Sequence, residues 1–219
     1  MPAKGRDMVA KTNDAATRGD GPTPEPSPRD RLLLAAFEEI YAHGYQGTRV
    51  DRVLEKTGLT KGAFYYYFPS KQALAYAVVD EIIAGIAEEM WRQTLEDAAD
   101  PIEAIGTVLE RISVERGEGF CTLGCPINNL AQEMSSLDDG FRTRLHGIFA
   151  KLIGWIADAL ARGKEAGTVR AEIDTHAVAT FVVAAFEGCI GLAKNEQSTA
   201  TLELCATQIG AYLDTMRAR

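Results

Sequence analysis

Apolar residues recur at three- and four-residue spacing along most of the chain, the period of helices with one buried face. Leu33, Phe37, Ile40 and Tyr41 mark a first helix that Gly44 stops. Thr48 with Asp51 reads as a capping-box variant opening a second, "RVDRVLEKTG", which Gly58 ends. Thr60 caps a very short third, "KGAFYYYF". Pro69-Ser70 breaks that helix and caps a long fourth from about residue 71 to 98. Asp100-Pro101 with Glu103 opens a helix to about Arg116, and Pro126 opens a short one to Met134. Ser136 with Asp139 opens a long helix through "RLHGIFAKLIGWIADALARGKEAG". Asp174 opens "THAVATFVVAAFEGCIGLAK", and Ser198 opens the last helix, ending near Met216. The expectation is an all-α chain of about nine helices. Gly167 to Ile173, "GTVRAEI", has strand character but no evident partner, so it reads as a loop. Residues 1–28 end in "GDGPTPEPSP", with four prolines and no apolar period, and read as a disordered tail.

Composition narrows the class. At 219 residues, 46% of them hydrophobic, the chain is long enough for one or two domains with real cores. No apolar run reaches the roughly 18 residues of a membrane span, and the first twenty residues hold no hydrophobic block. Four cysteines are too few for a disulfide scaffold, which points to a reducing cytoplasm and to thiols that are core residues, sensors or catalysts. The net charge of −8 is unevenly spread. Residues 29–71 carry seven Lys/Arg against five acids, whereas the part that follows is clearly acidic. Such asymmetry suits a protein of which one part meets an anionic polymer.

The stretch "LTKGAFYYYFPSK" sharpens that idea. Two short helices joined through "KTGLT" form a helix-turn-helix, whose second helix enters the major groove N-terminus first. Lys61 can reach base acceptors or phosphate, Gly62 lets backbone approach closely, and Ala63 is small enough for the groove floor. Phe64 and Phe68, four apart, share one face and can anchor the helix. Tyr65, Tyr66 and Tyr67 then spread outward, each with a hydroxyl that can bond a phosphate oxygen. So short a helix in so small a domain cannot bury all five rings.

From Arg29 to Leu74 the sequence resembles the TetR family of one-component bacterial transcription regulators. The resemblance rests on "HGY", the "T-x-x-x-I/V" helix opening, the "G-[LV]-[ST]-K-G" turn and the closing "YYxFxSKxxL". It implies a three-helix DNA-binding domain over 29–74 and a helical ligand-binding and dimerisation domain over 75–219. It implies that Thr48, at a helix cap, bonds phosphate, as do Tyr66, Tyr67 and Lys71. Lys61, Gly62 and Tyr65 sit where the family reads bases, with Thr60 as the cap between the helices. For Arg49 and Arg52, phosphate contact and plain solvation both stand. The last two helices are expected to form a four-helix bundle with a second copy, which would present two reading helices to a pseudo-palindromic operator.

Gly119 to Arg142, "GFCTLGCPINNLAQEMSSLDDGFR", is similar to the "GC-x-x-x-NL-x-x-E" segment of a subgroup that includes acrylate- and electrophile-responsive repressors; "FEGCIGLAK" is similar to its "WEGAxxxAK". The residues carry their own chemistry. Pro126 as first helical residue puts Cys125 at the cap, where the helix dipole favours thiolate. Cys121 could resolve an oxidised Cys125 if the loop folds back. Equally, both cysteines could be small buried hydrophobes. Asn128, Asn129 and Glu133 could line a ligand cavity or tie neighbouring loops, and Trp91, Trp155 and Phe186 are candidate pocket walls. Cys189 and Cys205 read as packing. No four-ligand spacing suggests a metal, and no cofactor is implied.

The expected function is sequence-specific DNA binding by a homodimeric repressor that leaves its operator when a small molecule or electrophile binds. Two other classes fit the sequence less well. A thiol enzyme built on Cys125 lacks an obvious partner base, since His43, His146 and His176 lie apart in the sequence. An architectural DNA-binding protein would be strongly basic, and this chain is acidic.

Overall fold

A computed structural model describes residues 25–218, all helical but for short connections. The elements are α1 (Pro28–Gly47), α2 (Val50–Thr57), α3 (Lys61–Tyr67) and α4 (Lys71–Ala77). A π-helical segment (Val78–Ile83) follows, then α5 (Ala84–Glu96), α6 (Pro101–Leu123), α7 (Pro126–Met134), α8 (Asp139–Glu165), α9 (Thr175–Glu196) and α10 (Thr199–Asp214). The single long fourth helix of the sequence reading is thus α4, the π segment and α5 run together. The expectation of a disordered tail falls, up to residue 24, outside the described residues. Helix α1 opens with a full capping box: Ser27 Oγ accepts from Asp30 N, and the Asp30 carboxylate accepts from Ser27 N.

Two compact units result. The first comprises residues up to Ile86 with Asn129–Leu145; the second comprises Ala87–Asn128 and the chain from His146 onward. The first unit closes over Leu32, Phe37, Phe64, Leu74, Val78 and Phe141, all fully buried or nearly so. Each such side chain removed from water contributes about 1.5–3 kcal/mol. Two ion pairs hold its π segment: Arg29 grips Glu81 with two bonds of 2.6 and 2.8 Å, and Arg144 meets Asp80 at 2.9 Å while lying over the Tyr76 ring.

The second unit packs α9 and α10 against α6, with Ile105, Leu109, Ile112, Val182, Leu202 and Leu213 buried between them. The Asp100 carboxylate caps α6 by accepting from Ile102 N and Glu103 N, and Asp174 caps α9 by accepting from Ala177 N. Helix α6 runs on to Leu123, past the expected end near Arg116, and stops at Gly124 with φ +83°. The segment with strand character does find a partner: Val169 makes an isolated antiparallel bridge with Arg217, beyond α10. Helix α9 has the length and mean hydropathy (1.7) of a membrane span, but 39% of its most apolar stretch is buried inside this unit. Its outer side is apolar too: Phe181, Ala184, Gly188 and Leu192 lie exposed along one face, and Leu204 is exposed on α10.

Candidate functional site

Helices α2 and α3 turn at Gly58, whose φ of +66° is left-handed backbone that glycine adopts without cost. Thr60 then caps α3, its Oγ1 accepting from Ala63 N at 3.2 Å. The two phenylalanines of the aromatic run point inward, Phe64 fully buried and Phe68 nearly so. The tyrosines divide: Tyr65 is 61% and Tyr66 81% exposed, while Tyr67 is half-buried with its ring 4.9 Å from that of Tyr66. Tyr65 lies edge-on to Phe64 at 5.0 Å and Tyr66 edge-on to Tyr67, yet both residues stay mostly in solvent, more exposed ring than a seven-residue helix needs for packing. Around Gly62 a side chain would meet nothing closer than Thr60 Oγ1 at 3.7 Å, so packing within the chain does not demand glycine there. Lys61 is exposed and pairs only loosely with Asp51, itself at the surface.

Other expected contact residues are held differently. Thr48 is buried and does not open α2; it closes α1, and its hydroxyl donates to Gly44 O at 2.7 Å. Arg49 takes the N-cap position of α2, exposed and without a side-chain cap bond. Lys71 begins α4 half-buried, 3.4 Å from Gln46 O and over the ring of Tyr45. Burial pulls its ammonium pKa down, opposed by the Glu133 carboxylate nearby.

Glu133 is therefore engaged in the first unit, at the junction that precedes the reading helices. Its two oxygens accept from Tyr45 N at 2.9 Å and Gln46 N at 2.8 Å. The same oxygens lie where a side chain on Gly44 would go, 2.7 Å from that position, and Gly44 has φ +73°. Asp138, next after α7, accepts from the Tyr76 hydroxyl, Gln72 Nε2 and Phe141 N, and the Tyr76 bond foremost holds its carboxyl below the usual range. Asp138, rather than Ser136, thus caps α8.

Cys121, Cys125 and Asn128 belong to the second unit. Cys125 is buried at the start of α7, with the backbone N–H groups of Ile127 and Asn128 directed at its sulfur. Its thiol donates to Glu187 of α9, which also bonds the Asn128 side chain. Burial first, and the Glu187 charge second, push the Cys125 thiol well above its ordinary value; the helix-start N–H groups pull the other way and lose. The direction is opposite to that expected from the helix dipole alone. Cys121 lies inside α6, buried and unbonded to Cys125, and burial raises its thiol as well. Glu187 is the residue that sequence reasoning passed over. Its Oε2 is shut from solvent and has no hydrogen-bond partner among the described residues. Burial lifts its carboxyl to about 7. A lone acid in the apolar run "FVVAAFEGCIGLAK" was the available signal. Next to it, Phe186 meets Trp91 edge-on at 6.2 Å, both rings buried. Trp155 is half-exposed on α8, and Asn129 belongs to the first unit. No group of three or more metal-ligating side chains occurs among the described residues.

Cys189 and Cys205 do more than pack: they form a disulfide between α9 and α10, 16 residues apart in sequence.

The helix-turn-helix in the first unit, with a second helical unit in the same chain, defines a helix-turn-helix DNA-binding protein. Residues 32–78 match the family model described as bacterial regulatory proteins, tetR family, and residues 101–208 match the C-terminal domain of LmrA/YxaF-like transcriptional regulators. An uncharacterised helix-turn-helix regulator of Lactococcus lactis is 32% identical over 61% of this chain and 68% of its own. The repressor DhaR of a Mycobacterium species is 28% identical over 83% of this chain and 89% of its own. Among solved structures, a TetR regulator from Chloroflexus aurantiacus superposes with a TM-score of 0.78, at 26% identity, over 88% of this chain and 97% of that one. The chain belongs to the TetR family and is a DNA-binding transcriptional regulator. Its relatives and its fold are those of regulators rather than enzymes, and regulators of this family bind operator DNA, typically as dimers.

Proposed function

We propose that the protein is a homodimeric cytoplasmic repressor that reads a pseudo-palindromic operator with α3 and releases it when a small molecule binds the second unit. The observation that carries the reading half is the division of the aromatic run: Phe64 and Phe68 bury inward while Tyr65 and Tyr66 stand in solvent. On this reading Lys61, Gly62 and Tyr65 meet base edges, and Tyr66, Tyr67, Lys71 and Arg49 meet phosphates. Thr48, its proton committed to Gly44 O, holds the junction and offers a phosphate nothing but lone pairs.

The exposed apolar face of α9 and α10 is the dimerisation surface. Phe181, Leu192 and Leu204 are 51%, 57% and 61% exposed, with Ala184 and Gly188 between them allowing close approach. A second copy of the same face covers it.

The inducer site is built on Cys125, Asn128 and Glu187, with Trp91 and Phe186 as walls. A buried carboxyl oxygen without a partner favours a ligand that donates a hydrogen bond to it. Burial of a protonated Cys125 thiol favours non-covalent binding over electrophile capture.

The division of labour on DNA is testable by titration against the protein's own upstream region and against random duplex. Tyr65→Ala is expected to cost about 1–3 kcal/mol of discrimination between them. Lys71→Ala should weaken both equally and flatten the slope of log affinity against log salt by about one. Equal effects of the two variants on both duplexes would refute the assignment.

A further inference from the structure

The two helices that carry the exposed apolar face are also the two that the Cys189–Cys205 disulfide joins. Leu192 lies one helical turn beyond Cys189, and Leu204 is the immediate neighbour of Cys205. Both cystine residues are half-buried and so partly open to solvent, whereas Cys121 and Cys125 are buried free thiols. A small dissolved thiol therefore meets the cystine before it meets either free cysteine of the described chain. The hairpin does not depend on the bond to exist. Ile190, Leu202, Ile209 and Leu213 are buried, and Gln197 at the turn donates to Cys121 O at 2.7 Å. What the bond adds is a fixed spacing between α9 and α10 beside the very side chains a second copy would cover.

We propose that Cys189–Cys205 is a reversible redox modification site, opened and closed by the glutathione couple, whose state sets how firmly two copies of the chain pair. The inference rests on the dimer surface proposed above. Opening is thiol–disulfide exchange. A glutathione thiolate attacks one cystine sulfur and forms a mixed disulfide, and the other sulfur leaves as thiolate and takes up a proton. A second glutathione displaces the first as glutathione disulfide. Two electrons and two protons pass to the protein, leaving two thiols, and two glutathiones become one glutathione disulfide. Closure is the reverse. The closed form presents the α9–α10 face pre-organised and loses less freedom on pairing, so it dimerises and holds a two-site operator more tightly.

The test uses the full chain in glutathione buffers of graded reduced-to-oxidised ratio. Thiols are counted by alkylation and mass, the monomer–dimer equilibrium by sedimentation, and binding to upstream DNA by fluorescence anisotropy. Opening should loosen the dimer by about ten-fold, with operator affinity falling alongside. The Cys189→Ser/Cys205→Ser protein should match reduced wild type in every buffer. A dimer and an operator affinity unchanged while the cystine opens overturn the redox inference and leave the dimer standing. A double variant that behaves like oxidised wild type overturns it as well. A monomer in both states overturns the dimer surface and takes this inference with it.

Discussion

Replacing Glu187 by Gln isolates the cost of a charge that the second unit carries in its interior. The Glu187 carboxyl lies near 7 in the folded chain against an ordinary 4.5, because burial disfavours its ionised form more than Cys125 and Asn128 support it. The folded state thus holds a proton that the unfolded state has lost. Stability falls as pH rises from about 4.5, and the loss is complete above about 7. At 1.36 kcal/mol per unit of pKa difference the full penalty is about 3.4 kcal/mol. The residue as a whole is half-buried, although its Oε2 is shut from solvent, and solvent around the stem brings the expectation to about 2–3 kcal/mol. Glutamine keeps the shape and still accepts from Cys125 and Asn128, but cannot ionise. Urea unfolding of wild type and Glu187→Gln, from pH 4 to pH 8, should give nearly equal stability at pH 4 and a variant more stable by that amount at pH 8. The difference between the two proteins cancels every other titrating group. A difference that stays flat across the range would refute a buried, protonatable Glu187.

Two further substitutions probe the reading unit. Phe64→Ala empties a fully buried site and should cost about 3–5 kcal/mol of stability, while Tyr66→Ala, on an exposed ring, should change stability by less than about 0.5 kcal/mol and still weaken DNA binding. Similar unfolding midpoints for the two would mean that the faces of α3 are wrongly assigned. Glu133→Ala leaves Tyr45 N and Gln46 N without their acceptor and should cost about 1–3 kcal/mol in denaturant unfolding, whereas a residue serving a ligand alone would leave stability unmoved.

What the sequence told depended on how local the cause was. Gly58, Thr60, Asp100 and Asp174 were legible because a cap or a turn needs only its next three residues. Phe64 and Phe68 were legible because their spacing puts them on one face. Thr48 misled because a threonine three residues before an acid looks like a helix opener, yet its hydroxyl found Gly44 O behind it. Cys125 was correctly placed at a helix start, but the sign of its pKa was set by depth and by Glu187, 62 positions away. Glu133 reads as a ligand residue in its own segment; only folding brings Tyr45 and Gln46, nearly 90 residues earlier, to its oxygens. The Cys189–Cys205 bond needed the α9–α10 pairing to be known first. Helix faces and caps were therefore readable, and the partners of polar groups across long separations were not.

The central claim, that α3 of each of two copies reads one half of an operator, is tested most directly by one titration. Upstream DNA and a random duplex of the same length are titrated with the protein, with stoichiometry read by sedimentation of the complex. The expected result is two chains, or a multiple of two, per upstream site, with affinity above the random duplex by at least about a thousand-fold and that preference reduced by about 1–3 kcal/mol in Tyr65→Ala. One chain per site, or equal affinity for both duplexes, would contradict it.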